Sequence, residues 1–170
     1  MILPIEGDAA RGWTAGTPTV FLATPATEIY AMFSPDGRWV AYASNEVGST
    51  YDVFVRPFPG PGGPRRISTG GGTFPHWSPR AHELLFLGSG GKVFFAPYAV
   101  VGEAFQVDKP QVWTPTSAVS FGTSYPYDIH PDGKRLALTA AVDQAGVVQD
   151  KVVFVSNFIE YLKKTVAGRK

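Results

Sequence analysis

The chain has 170 residues, a formal net charge of +1, and only 17% charged residues against 44% hydrophobic ones. That balance excludes a disordered chain, and a near-neutral sum demands no anionic partner. Cysteine is absent, which removes disulfides, thiolate metal sites and cysteine nucleophiles together. Aromatic residues reach 14%, with 19 glycines and 15 prolines. Such a composition suits many short strands joined by turns.

The chain opens Met1-Ile2-Leu3-Pro4-Ile5-Glu6. This start lacks the basic and apolar regions of a signal peptide. No apolar run approaches the roughly 20 residues needed to cross a bilayer. The opening reads like the interior of a folded domain, with Met1 as a truncation point. Residues 2–5 fit the third strand of a four-stranded unit and residues 17–23 its fourth.

Three strand–turn–strand segments follow, at residues 30–42, 74–86 and 127–138. Phe33 to Trp77 spans 44 residues and Trp77 to Ile129 spans 52. A period of about 40–45 is that of a four-stranded propeller blade. The added length falls around residues 100–124, expected to hold a longer loop and an outer strand. The turns Pro35-Asp36-Gly37 and Pro131-Asp132-Gly133 have a physical reason. Proline presets φ at the first central position, aspartate tolerates the next, and glycine accepts positive φ. Pro79-Arg80-Ala81 lacks the last two features and predicts a looser turn.

Each hairpin is followed by an apolar run that suits a third strand, at residues 52–58, 92–98 and 151–155. Residues 64–69 and 111–114 fit fourth strands, and Gly88-Ser89-Gly90-Gly91 a hairpin turn. Residues 158–166 show helical spacing at Phe158, Tyr161, Leu162 and Thr165, and predict a helix in place of the last fourth strand. The expected fold is all-β: a partial β-propeller of three to four four-stranded antiparallel blades with a short C-terminal helix. The expected division is a half blade at 1–24, blades at 25–70 and 71–117, and a blade plus helix at 118–170. An open arc leaves strand edges and faces uncovered. Two copies, each giving about three blades, are therefore expected to close a ring.

The turn motif resembles the TolB-like propeller repeat, most closely at Phe33-Ser34-Pro35-Asp36-Gly37-Arg38. More narrowly, the chain is similar to the C-terminal sensor-like propeller of bacterial membrane-bound serine/threonine protein kinases. That similarity rests on Tyr42-Ala43-Ser44-Asn45-Glu46, Val53-Phe54-Val55-Arg56-Pro57-Phe58-Pro59-Gly60, Ile67-Ser68-Thr69-Gly70-Gly71-Gly72, His76-Trp77-Ser78 and Asn157-Phe158-Ile159-Glu160-Tyr161-Leu162-Lys163-Lys164. The resemblance implies a sensing or scaffold piece, on the extracytoplasmic side of a membrane it does not itself enter. The phosphate loop, His-Arg-Asp and Asp-Phe-Gly motifs of a kinase are not in this sequence.

A search for chemistry returns little. No Gly-x-Ser-x-Gly elbow occurs. His76, His82 and His130 do not stand at metal-ligand spacing. Asp36 and Asp132 belong to equivalent turns, so a structural role outweighs that of a catalytic pair. Glu28, Asp52 and Asp128 are candidates to line an opening. Gly60-Pro61-Gly62-Gly63 and Gly70-Gly71-Gly72 fit no phosphate loop. The basic pairs Arg65-Arg66, Lys163-Lys164 and Arg169-Lys170 suit a solvated face better than nucleic acid. Tyr30, Phe74, Tyr125 and Tyr127 start inner strands, where core packing explains most of them. Tyr30, His76 and Tyr127 are the expected ligand contacts, at the channel mouth.

The sequence therefore favours a non-catalytic binding or scaffold module, without cofactor or metal, that self-associates or meets a protein partner. One alternative is a metal-dependent propeller-channel enzyme of lyase or lactonase type. The other is a detached fragment of a kinase-linked sensor domain.

Overall fold

A computed structural model describes residues 1–120 and 124–140. The expected strand at 151–155 and the expected helix at 158–166 lie outside the described residues. Among the described residues the fold is all-β, built from antiparallel pairs. No helix among them is long and apolar enough to cross a membrane.

The chain begins with a hairpin of β1 (Ile5–Asp8) and β2 (Gly12–Ala15), both exposed. A bridge between Ile2 and Thr19 extends it. The expected strands at 2–5 and 17–23 are thus displaced toward the hairpin tip, although Ile2 and Thr19 still pair. Next comes a four-stranded meander of β3 (Glu28–Phe33), β4 (Trp39–Ser44), β5 (Asp52–Pro57) and β6 (Arg65–Arg66), in that spatial order. The outer strand is shorter than the run at 64–69 predicts.

The middle sheet holds β7 (Gly72–Trp77), β8 (Glu83–Gly88) and the long β9 (Lys92–Val101). A 3-10 turn at Ser89–Gly91 joins β8 to β9. The edge of β9 serves two partners. β11 (Gln111–Ser117) pairs with its first half and β10 (Ala104–Val107) with its second. The length expected to form a loop near residue 100 is therefore partly a second hairpin. The last described pair is β12 (Tyr127–Ile129) with β13 (Leu136–Leu138).

The turns differ as their chemistry requires. Gly37 N–H donates to the Ser34 carbonyl at 2.9 Å and Gly133 N–H to the His130 carbonyl at 2.8 Å. Both glycines hold positive φ, +69° and +71°. Asp36 Oδ1 accepts from Arg38 N–H at 3.1 Å, and Asp132 Oδ1 from Lys134 N–H at 2.8 Å. The Lys134 bond leads the causes that hold the Asp132 carboxyl at about 2, with Arg135 and His130 adding to it. In the middle turn, the Ser78 hydroxyl accepts from Ala81 N–H at 3.2 Å.

Strands β4 and β8 are buried on both faces, as continuous apolar runs allow. One core joins the four-stranded sheet to the middle sheet: Trp39, Ala41, Val53 and Val55 meet Trp77, Leu84, Phe86 and Phe105. A second core lies on the opposite face of the middle sheet, where Phe74, Leu85, Leu87 and Val93 meet Tyr127 and Ile129. Alternation along β8 assigns Leu84 and Phe86 to one neighbour and Leu85 and Leu87 to the other. The four-stranded sheet, the middle sheet and the β12–β13 pair therefore stack face to face in chain order. Each fully buried side chain of this size contributes about 1.5–3 kcal/mol, so these two layers dominate the stability over the exposed first hairpin.

Candidate functional site

Strands β3 and β7, each the first strand of its sheet in the chain, carry the same irregularity. Ile29 pairs with Ala43 and Met32 with Ala41, so Tyr30 and Ala31 together oppose one residue of β4. Thr73 pairs with Leu87 and His76 with Leu85, so Phe74 and Pro75 together oppose one residue of β8. These are β-bulges, and the first residue of each holds positive φ: +58° at Tyr30 and +52° at Phe74. Glycine is the usual occupant of such a position. A bulky side chain there costs on the order of 1–3 kcal/mol and persists only where its surroundings enforce it.

The enforcement is visible. The rings of Tyr30 and Phe74 lie 4.2 Å apart at 33°. Tyr125 meets both edge-on, at 5.6 Å from Tyr30 and 5.1 Å from Phe74. Strands β3, β7 and β12 thus contribute one ring each, at or just before their starts, to a single aromatic surface in which Tyr125 is exposed and Phe74 is buried. The third unit has no bulge between β12 and β13. Pro126 stands three residues before Ile129, as Phe74 stands before Trp77, and a proline ring cannot take positive φ. Tyr125, one residue earlier, supplies the third ring instead.

Tyr127 lies behind this surface, almost fully buried. Its hydroxyl donates to the carbonyl of strained Phe74 at 2.7 Å, and burial first, then Tyr125 and Asp128, pushes its phenol well above the ordinary range. Trp77 has the matching role in the preceding sheet, its indole N–H donating to the Met32 carbonyl at 3.2 Å. Strand β7 is therefore tied to β3, and β12 to β7.

His76 flanks the surface, its ring 6.3 Å from Tyr127 and its Nε2 3.7 Å from Asp128 Oδ1. That separation is too long for a hydrogen bond. Burial pushes the imidazole pKa down, and the exposed Asp128 carboxylate pulls it partly back. A depressed histidine binds more protons unfolded than folded, so stability falls as pH drops through the unfolded value of about 6.5. Urea unfolding at pH 7.5 and pH 5.5 is expected to show this acid loss. His76→Gln is expected to flatten it, and an unchanged slope would show that another group carries it.

Of the sequence-predicted contacts, Tyr30 is in the aromatic surface, Tyr127 supports it from within, and His76 stands beside it. Tyr125, which the sequence presents chiefly as a packing residue, completes the surface, while Phe74 packs within it at 4% exposure. Their signal is an aromatic three or four residues before Phe33, Trp77 and Ile129. Glu28 lines a cleft of about 290 Å³ together with Tyr30, Tyr42, Met1, Ile2 and Phe21. Asp128 is exposed at the flank of His76. Asp52 lines no opening: it is buried and bound by Ser68, Gly71 and Arg66. The turn residues Pro35, Asp36 and Gly37 lie beyond the far end of β3, away from the aromatic surface. Among the described residues no group of three or more His, Cys, Asp or Glu side chains is placed to hold a metal ion. No protein-family model matches the sequence, and no curated protein is significantly similar to it.

Proposed function

We propose that this chain is a non-catalytic binding module of propeller type, with the three stacked sheets as blades and the aromatic surface as its ligand face. The observation that carries the reading is the pair of positive-φ bulges at Tyr30 and Phe74, joined by Tyr125 into one surface. Strain of that kind, kept at two equivalent places, is drawn to binding sites. Aromatic faces with phenol groups at their rim suit a planar apolar group that also accepts or donates hydrogen bonds.

The TolB-like turn motif supports the blade reading, and likeness to the sensor propellers of membrane-bound kinases supports an extracytoplasmic role. The open outer faces support ring completion by self-association, because exposed apolar patches mark interaction sites.

Saturation-transfer NMR with indole and N-acetyl-tyrosinamide tests the ligand face. Both probes are expected to take up saturation from the native chain and to lose most of it with Tyr30→Ala or Tyr125→Ala. His82→Ala, at the other end of the β7–β8 hairpin and stacked on Tyr98, is expected to leave the signal intact. Undiminished transfer in the Tyr125→Ala variant would refute this face.

A further inference from the structure

The three hairpin turns occupy equivalent places, and only the middle one lacks a carboxylate. Pro79-Arg80-Ala81 stands where Pro35-Asp36-Gly37 and Pro131-Asp132-Gly133 stand in the others, so Arg80 replaces the aspartate. In the first turn the Ser34 hydroxyl donates to Asp36 Oδ1 at 2.5 Å and accepts from Trp39 N–H at 3.0 Å. In the middle turn the equivalent Ser78 hydroxyl accepts from Ala81 N–H at 3.2 Å, but among the described residues no acceptor takes its proton. Ser78 is 4% exposed, and buried polar groups are as a rule satisfied. The exchange of aspartate for arginine gains the turn nothing locally, and departures of that kind concentrate at functional sites.

Ser78 and Arg80 border a cleft of about 400 Å³ between the four-stranded sheet and the middle sheet. Among the described residues its lining comes entirely from residues 35–38, 78–82 and 98–100. Arg38 spans from the first turn to the middle sheet, its Nη2 donating to the Gly102 carbonyl at 3.5 Å. Arg80 Nε donates to the Pro131 carbonyl at 3.0 Å. A guanidinium carries five N–H donors, so these single contacts orient each group and leave most of its donors unused. Among the described residues neither guanidinium forms an ion pair, whereas Asp132 of the third turn is taken up by Arg135 and His130. Asp36 is the one carboxylate among the described lining residues, and it already accepts from Ser34 and from Arg38 N–H. The cleft therefore holds two guanidiniums against one carboxylate. His82, also in the lining, stacks on Tyr98 at 5.3 Å and 21°.

We propose that this cleft binds the oxyanion group of a small molecule, a phosphate monoester or a carboxylate, in place of the missing turn aspartate. One oxygen accepts the Ser78 proton as Asp36 accepts that of Ser34. Arg38 and Arg80 supply charge-assisted donors from opposite walls, and the flat ring of His82 supports the body of the ligand. The site lies at the opposite end of the strands from Tyr30 and Phe74, and it stands independently of the ligand face proposed above.

Amide NMR of the native chain, titrated at constant ionic strength with phenyl phosphate, benzoate and chloride in turn, tests the site. The amides of Arg38, Arg80, Ala81 and Gly102 are expected to shift saturably with at least one oxyanion and not with chloride. The tighter of the two identifies the source of the group. Arg80→Asp restores the residue of the other turns. It is expected to keep the fold, to give Ser78 an acceptor within the chain, and to weaken binding at least tenfold. Asp36→Asn keeps the turn acceptor, removes the opposing charge and is expected to strengthen binding about threefold. Arg11→Gln, at the tip of the first hairpin, should change nothing. Equal shifts with chloride, or undiminished binding in Arg80→Asp, would overturn the proposal. Should Arg80→Asp fold poorly, Arg38→Gln gives the second reading: a tenfold loss is expected there, and affinity equal to that of the native chain overturns the site.

Discussion

Trp77→Ala is expected to lower the unfolding free energy by about 4 kcal/mol, the middle of the range for emptying a buried aromatic site. Trp77 is 4% exposed in the core between the four-stranded sheet and the middle sheet. Its ring meets Tyr98 edge-on at 5.2 Å and Phe105 at 6.1 Å. The backbone of two sheets frames the site, so neighbouring side chains can collapse only partly into the space. The change also removes the indole N–H that donates to the Met32 carbonyl. Trp77→Phe separates the two contributions: it keeps most of the ring and removes the N–H, at an expected cost of about 1–2 kcal/mol. Urea unfolding followed by far-ultraviolet circular dichroism measures both. A loss under about 1 kcal/mol for the alanine variant would mean that this layer does not bind the sheets together.

Asp52→Ala should cost about 3 kcal/mol, because it removes one charged acceptor from several donors at once. The Asp52 carboxylate is 5% exposed and accepts from the Ser68 hydroxyl at 2.8 Å, Gly71 N–H at 3.1 Å and the Arg66 guanidinium. Ser68 Oγ in turn accepts from Val53 N–H at 2.8 Å. The group thus ties the start of β5 to the chain that leads from β6 into β7. Asp52→Asn keeps the acceptor oxygen and loses the charge, and should fall about midway. The exposed Asp132–Arg135 pair is the contrast, since water replaces its partners at little cost. Equal losses from Asp52→Ala and Asp132→Ala would show that burial does not set the strength of these bonds.

The two large effects sit at residues of unequal legibility. Trp77 stands out in the sequence as the centre of a repeated hairpin. Asp52 reads there as a possible lining of an opening, and its burial emerges only from Ser68 and Gly71, 16 and 19 residues away. A carboxylate at a strand start looks the same in sequence whether it faces water or three donors. The first hairpin shows the reverse limit. Apolar content alone places its strands a few residues away from the tip, at residues 2–5 and 17–23, while the hairpin tip, Asp8-Ala9-Ala10-Arg11-Gly12, is set by local bonds to Asp8.

What the sequence determined by itself is the local code. Alternating or continuous apolar runs specify strands, and the proline, aspartate and glycine of each turn reverse the chain within a few residues, by conformational preferences that need no distant partner. The recurring order of these pieces also announces the repeated hairpin. Only the tertiary structure decided the aromatic surface. Nothing local drives Tyr30 or Phe74 to positive φ, which their own sterics oppose. Strand register forces the bulge, ring contacts from the next two sheets hold it, and Tyr127, 53 residues away, anchors its carbonyl. The strain survives because packing between sheets outweighs the backbone preference of a single residue.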